Sequence, residues 1–233
     1  MPSILFLIPA RAGSKGVPGK NYKELAGKPL IKYPLERARK FTADINICIS
    51  TDDKHIEDIV KADGYELPFI RPPELSSDKA GAYEVMLHAI EHYSSIGRNY
   101  QLLVYLQPTS PFRTFTHVKE AISKFQSGMD MLVSVKETKA NPYYLLMEED
   151  ENGWLQHSKK ANFVRRQDTP TVYELNGAIY VINVESLKNG PINSFKKIGK
   201  YVMDEVHSID IDSPLDWIIA ETFLEKGVID HEI

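Results

Sequence analysis

Apolar runs of strand length alternate with helical patterns through the first 136 residues, at 4–9, 30–40, 45–50, 54–63, 67–70, 80–95, 101–106, 115–126 and 131–135. Such alternation builds βαβ units, so the expected fold is α/β: a Rossmann-like, mostly parallel sheet with helices on both faces. The helix assignments rest on spacing: Tyr83, Met86, Leu87 and Ile90 share one face, as do Val118, Ala121, Ile122 and Phe125. Within 233 residues one large domain, 1–233, buries its core comfortably.

From about Glu137 to Tyr173 the period disappears, through Asn141-Pro142, the acidic turn Glu148 to Gly153, and Arg165-Arg166. A long irregular but aromatic stretch in a compact domain packs on something, and a second subunit is the simplest cover. Segment 137–173 is therefore expected to be a protruding dimerisation arm, and the chain a homodimer. The sheet is expected to resume at 177–182, and a strand-like 209–212 precedes a helix with Leu215, Ile218, Ile219 and Phe223 inward.

Charge is polarised along the chain. Between Arg11 and Lys40 stand nine Lys or Arg against two acidic residues, while Asp204 to Ile233 holds nine acidic groups against Lys226 alone. The net charge of −4 makes the basic excess local, which argues against nucleic-acid partners. The single cysteine, Cys48, sits in the apolar run 45–49, reads as core, and leaves no disulfide framework or cysteine metal cluster. Neither a signal-peptide pattern nor a run of eighteen apolar residues occurs, so the expectation is a soluble cytoplasmic protein without membrane partners.

The basic run opens directly behind the apolar strand 4–9, as Arg11-Ala-Gly-Ser-Lys-Gly-Val-Pro-Gly-Lys-Asn21. Its glycines let backbone N–H groups approach an anion closely, and Arg11, Lys15 and Lys20 supply charge, so the loop is a candidate polyphosphate site. A solvated surface turn has the same composition. At the other end, Asp210-Ile211-Asp212 places two carboxylates on one side of an extended segment, about 6–7 Å apart at Cα. Magnesium favours one or two protein carboxylates plus substrate phosphates, which would complement the basic loop. Asp212-Ser213-Pro214 also reads as the start of a helix.

Gln107-Pro-Thr-Ser-Pro-Phe-Arg113 follows the strand at 101–106, where loops line ligand crevices, although Thr114 or Thr116 alone would explain a capping turn. Arg71 follows 67–70 and either reaches a ligand or pairs with a surface carboxylate; Ser77 or Asp78 reads as the cap of the next helix. Three near-matches fail. Gly13 to Lys20 spaces its glycines one residue too widely for a triphosphatase phosphate loop and has Asn21 where that loop needs Ser or Thr. Ser14 lacks the first glycine of a nucleophile elbow, and His88-Ala-Ile-Glu91-His92 puts its histidines on the expected solvent face.

Taken in order, Ile8 to Asn21, Ser50-Thr-Asp-Asp53, Arg71-Pro72, Leu106 to Pro111, Asn176 to Tyr180 and Ile209 to Asp212 closely resemble the acylneuraminate cytidylyltransferases, the CMP-sialic acid synthetases and their relatives for legionaminic-type sugars. The resemblance implies transfer of CMP from CTP to a nine-carbon 2-keto sugar acid (a nonulosonic acid) with release of pyrophosphate, magnesium dependence and a homodimer. It also implies that Arg11, Ser14, Lys20 and Asn21 hold the nucleotide, with Arg71 near the cytosine; Lys15, from the charge of the same loop, is expected to join them. Gln107, Arg166 and Asn176 would serve the sugar, and Asp210 and Asp212 the magnesium. From the chemistry of the step, Asp212 is further expected to assist deprotonation of the attacking hydroxyl. Two departures bear on specificity: Gly81 and Ala82 stand where sialic acid enzymes tend to have serines, and Glu174-Leu175 where many have Arg-Pro. The alternatives are a cytidylyltransferase for an eight-carbon keto-deoxy sugar acid and a catalytically silent nucleotide-binding scaffold.

Overall fold

The structure, a computed structural model, describes residues 2–77, 80–160, 162–163 and 165–229; nothing is described of the Arg166 side chain. The elements in order are β1 (Ile4–Pro9), β2 (Glu24–Leu25), β3 (Lys28–Pro29), α1 (Lys32–Arg39), β4 (Ile47–Ser50), α2 (Lys54–Ala62), α3 (Ala82–Ser95) and β5 (Leu102–Tyr105). There follow α4 (Phe115–Lys124), β6 (Met131–Glu137), β7 (Met147–Glu149), β8 (Leu155–His157), β9 (Tyr173–Asn183), α5 (Val184–Asn189), β10 (Ile198–Val202) and α6 (Pro214–Glu225).

Six strands form the central sheet in the order β10-β6-β9-β5-β1-β4. β1 pairs in parallel with β4 and β5, and β10 with β6, while β9 runs antiparallel to both of its neighbours. The expected mostly parallel sheet is present, with one reversed strand that the alternation pattern did not reveal. Strand β1 is apolar throughout because it serves two cores. Phe6 and Ile8 join α1, α2 and α4 on one face, whereas Leu5, Leu7 and Cys48 join α3 and α5 on the other. A third cluster places Trp217, Ala220 and Leu224 of α6 against Val17, Leu25, Leu30, Phe112 and Ile211, behind the basic loop.

Several boundaries differ from the expectation. Segment 67–70 forms no strand: it bends at Pro68, and Arg71 N–H bonds Thr51 O beyond the end of β4, leaving β4 as the sheet edge. Helix α3 begins at Ala82 behind Gly81 with no side-chain cap; Asp78 lies outside the described residues. Helix α6 is turned so that Leu215 and Ile218 face out, because the bulkier Trp217 takes the inward position. His88 and His92 are half-buried and not fully on the solvent face; they flank the Phe69 ring at 4.5 and 4.8 Å between centroids. Strands β7 and β8 form a separate hairpin, exposed along its length, inside the irregular segment. No described helix is long and apolar enough to cross a membrane.

Candidate active site

Residues that follow β1, β4, β5 and β10 converge beyond the carboxyl ends of the parallel strands. After β1 the chain goes outward to β4 and then crosses back to β5, the reversal of strand order at which open α/β sheets bind ligands. A cavity of about 480 Å³ lies there, lined by Arg11, Ser14, Lys15, Lys20 and Asn21 on one side and by Asp210 and Asp212 on the other, with Arg71 and Gln107 also contributing.

Local bonds hold the basic loop in place. Gly13 and Gly19 have φ of 73° and 66°, the left-handed region that glycine enters at least cost. Asn21 Nδ2 donates to Arg11 O at 3.1 Å and closes the loop on itself, and Ala12 N–H donates to Asp52 Oδ1 at 2.9 Å, tying it to the end of β4. Lys20 is 7% exposed and reaches across to the acidic segment, where Nζ donates to Ile211 O and, at 2.9 Å, to Asp212 Oδ1. The two oppositely charged ends of the sequence meet at this contact.

The acidic segment is extended but belongs to no sheet; Ile211 N–H bonds Thr109 O at 2.8 Å instead. Its alternation persists, with Ile209 and Ile211 packed in the α6 cluster and both aspartates lining the cavity. Ser213 caps α6, with Asp216 completing the capping box, so Asp212 is not needed as a cap. Arg71 is held by Ser50: Nε donates to the hydroxyl at 2.9 Å and Nη2 to the carbonyl, which turns the guanidinium inward rather than toward a surface carboxylate.

Across residues 5–221 the chain matches the family described as cytidylyltransferase. The chain belongs to that family. This cytidylyltransferase is 32% identical over 226 residues to the CMP-N,N'-diacetyllegionaminic acid synthase of Campylobacter jejuni, across 95% of this chain and 94% of that protein. It is 31% identical over 224 residues to the N-acylneuraminate cytidylyltransferase of Escherichia coli, across 96% of this chain and 52% of that longer protein. A solved CMP:2-keto-3-deoxy-manno-octonic acid synthetase complexed with CTP shares its fold at a TM-score of 0.70 and 16% identity, covering 97% of this chain and 99% of that one.

Of the residues expected at the sugar of the cytidylyltransferase, one lies behind the cavity wall. Asn176 is 2% exposed and lines no part of the cavity. It accepts from Ser134 Oγ at 2.6 Å and donates to Ser208 Oγ at 2.9 Å, while its carbonyl accepts from Ser110 Oγ at 3.3 Å. A buried amide needs such partners, and here they tie β6, β9 and the segment before Asp210 together behind the cavity wall. Arg166 lies in a short 3-10 turn, Arg166–Asp168, and its side chain is outside what the structure describes. Glu174 pairs with Lys136 at 3.4 Å and does not line the cavity, whereas Gly81 and Ala82 do.

Sequence reasoning placed the Pro-rich loop at a ligand crevice, yet Arg113 at its end is 1% exposed and donates inward to the Gln107 carbonyl. Thr109 and Ser110 are the residues it missed. The Thr109 hydroxyl hydrogen-bonds Asp210, and Ser110 Oγ lies 3.5 Å from Asp210 Oδ1. Their signal was present as two hydroxyls between rigid prolines. Burial raises the Asp210 carboxyl above its ordinary 3.8, and neighbouring Asp212 adds to the shift, while the Thr109 bond opposes it. A half-buried carboxylate beside a second one, with oxygen as the only ligand type, suits a hard divalent cation, which would relieve both the desolvation and the repulsion.

Proposed function

We propose that the protein transfers CMP from CTP to the anomeric hydroxyl of a nonulosonic acid of the sialic or legionaminic type. The meeting of the basic loop with the carboxylate pair in one cavity carries this reading, because the reaction brings a polyanionic triphosphate against an anionic sugar acid and releases pyrophosphate. The sugar hydroxyl attacks the α-phosphorus in line, the bond to the β-phosphate oxygen breaks, and the hydroxyl proton leaves. Most of the work is positioning and charge neutralisation.

Arg11 and Lys20 bind the triphosphate and offset charge on departing pyrophosphate, with Ser14, Lys15 and Asn21 shaping the cradle. Arg71, beside Gly81 and Ala82, faces the cytosine, and Gln107 faces the sugar. Asp210 and Asp212 would hold magnesium, which when bound neutralises phosphate charge and lowers the pKa of the attacking hydroxyl. Asp212, largely exposed beside Lys20, accepts the proton. Asn176 acts from behind the wall by fixing the segment that carries Asp210, and Arg166 approaches the sugar carboxylate or phosphates.

We read residues 137–173 as the arm of a homodimer: Tyr144, Leu145, Leu146, Met147, Trp154 and Leu155 are exposed apolar side chains clustered within it. A lone buried thiol fits a reducing cytoplasm. The test is pyrophosphate release with CTP and each other nucleoside triphosphate across a panel of keto sugar acids. Release with CTP and a nine-carbon acid is expected. Release only with an eight-carbon acid, or none with any pair, refutes the assignment.

A further inference from the structure

His117, Asp204 and His207 each offer one ligand atom within 4.8 Å of the others, and they form the only such His, Cys or carboxylate group among the described residues. None of the three lines the nucleotide cavity. His117 lies in the first turn of α4, and the other two in the turn after β10, so two separate elements build the cluster.

The arrangement has the anatomy of a histidine-rich metal site. Asp204 is anchored by the His207 backbone N–H, 2.9 Å from Oδ1, and its Oδ2 lies 2.7 Å from His207 Nδ1. The carboxylate oxygen and Nδ1 already stand side by side, so an ion that takes the place of the proton between them would have both as ligands. The His117 and His207 rings stand nearly perpendicular with centroids 4.8 Å apart. Glu120, one turn along α4 from His117, accepts from Tyr201 at 2.7 Å and adds a second negative charge nearby.

We propose that His117, His207 and Asp204 bind a divalent transition metal of the zinc class, separate from the carboxylate pair of the active site. Two imidazoles and one carboxylate, with water completing the shell, suit zinc-like ions and not magnesium. Tetrahedral zinc sets its ligands about 3.4 Å apart, so from within 4.8 Å the ligand atoms close in by at most about 1.4 Å. The contact that must yield is long: His117 Nδ1 accepts from Thr114 N–H at 3.3 Å, while Thr114 Oγ1 keeps the α4 cap by accepting from His117 N–H.

The position gives the ion a consequence. Thr114 ends the loop that carries Gln107, and Ser208, which donates to Asp204 O, leads into Asp210. An ion held there clips together the two segments that form one wall of the active site.

The test uses purified full-length protein without nucleotide, titrated with zinc against a chromophoric chelator and with cobalt(II) as a spectroscopic probe. One equivalent is expected, with a cobalt spectrum of nitrogen and oxygen ligation and a melting temperature that rises with zinc. His207→Gln and His117→Gln should each weaken binding at least tenfold with folding intact by circular dichroism, whereas Asp210→Asn should leave it unchanged. Absence of binding, or binding that survives both histidine changes and disappears in Asp210→Asn, overturns the proposal.

Discussion

Gly16→Ala tests the contact between the basic loop and the acidic segment by the smallest available change. A Cβ at Gly16 would stand 1.8 Å from the Asp212 carbonyl oxygen and 3.0 Å from its carbon. Ordinary contact needs about 3.5 Å, so loop and segment must separate by roughly 1.5 Å. Both sides are backbone. The acidic side is anchored by the bond from Ile211 N–H to Thr109 O and by Asp212 N–H on Asp216 Oδ2 at 3.1 Å, so the loop is the part that moves. Overpacking of this kind costs about 1–3 kcal/mol, and a 1 Å misplacement of catalytic groups costs about a hundredfold in rate. The expected result is a kcat about a hundredfold lower in the pyrophosphate-release assay, with a modest fall in the urea midpoint. Gly13→Asn is the control, because a Cβ there meets nothing within 4 Å and asparagine tolerates its positive φ. Gly16→Ala with kcat within twofold of the parent and unchanged stability would show that the loop does not rest on Asp212 in solution.

Three shorter predictions concern other parts of the molecule. Because the Asp210 carboxyl is raised by burial, the native state holds its proton more tightly than the unfolded chain, and stability falls as pH rises from the ordinary carboxylate range through the folded value. Asp210→Asn should therefore raise the melting temperature of the metal-free protein at pH 7, with the gain shrinking toward pH 4, while cutting activity at least a hundredfold; a lower melting temperature at pH 7 contradicts the sign. Cys48 is fully buried and burial pushes its thiol up, so a disulfide reagent at pH 8 should find no thiol in native protein and one in denaturant; immediate native reaction refutes the packing. Leu155→Glu in the exposed hairpin should convert the expected dimer to monomer by light scattering, and a persisting dimer removes the arm from the interface.

The parallel core was legible because β1, β4 and β5 are buried on both faces and read as continuous apolar runs. Strand β10 was not, since it is an edge with one buried residue, Tyr201, and a lysine among its five positions. The orientation of β9 left no trace in its residues, because pairing direction is set by the connections and not by side-chain alternation. In the site, the charged loop and the Asp-Ile-Asp segment could be found by composition and period. The burial of Asn176 and Arg113 could not, because a polar side chain looks the same in sequence whether it meets a ligand or a buried carbonyl. His117 escaped notice because its partners lie 87 and 90 positions further along the chain.

With its side-chain amide held by Ser134 and Ser208 and its backbone carbonyl by Ser110, Asn176 divides the surroundings of the proposed acceptor site into a part that tolerates change and a part that does not. Anyone retargeting the enzyme toward a differently substituted sugar should vary Gln107, which lines the cavity, and keep the Thr109 bond to Asp210 and the serine-amide knot intact. Laboratory evolution of this protein would then be expected to accumulate its useful substitutions on the Pro-rich loop and almost none at the start of β9.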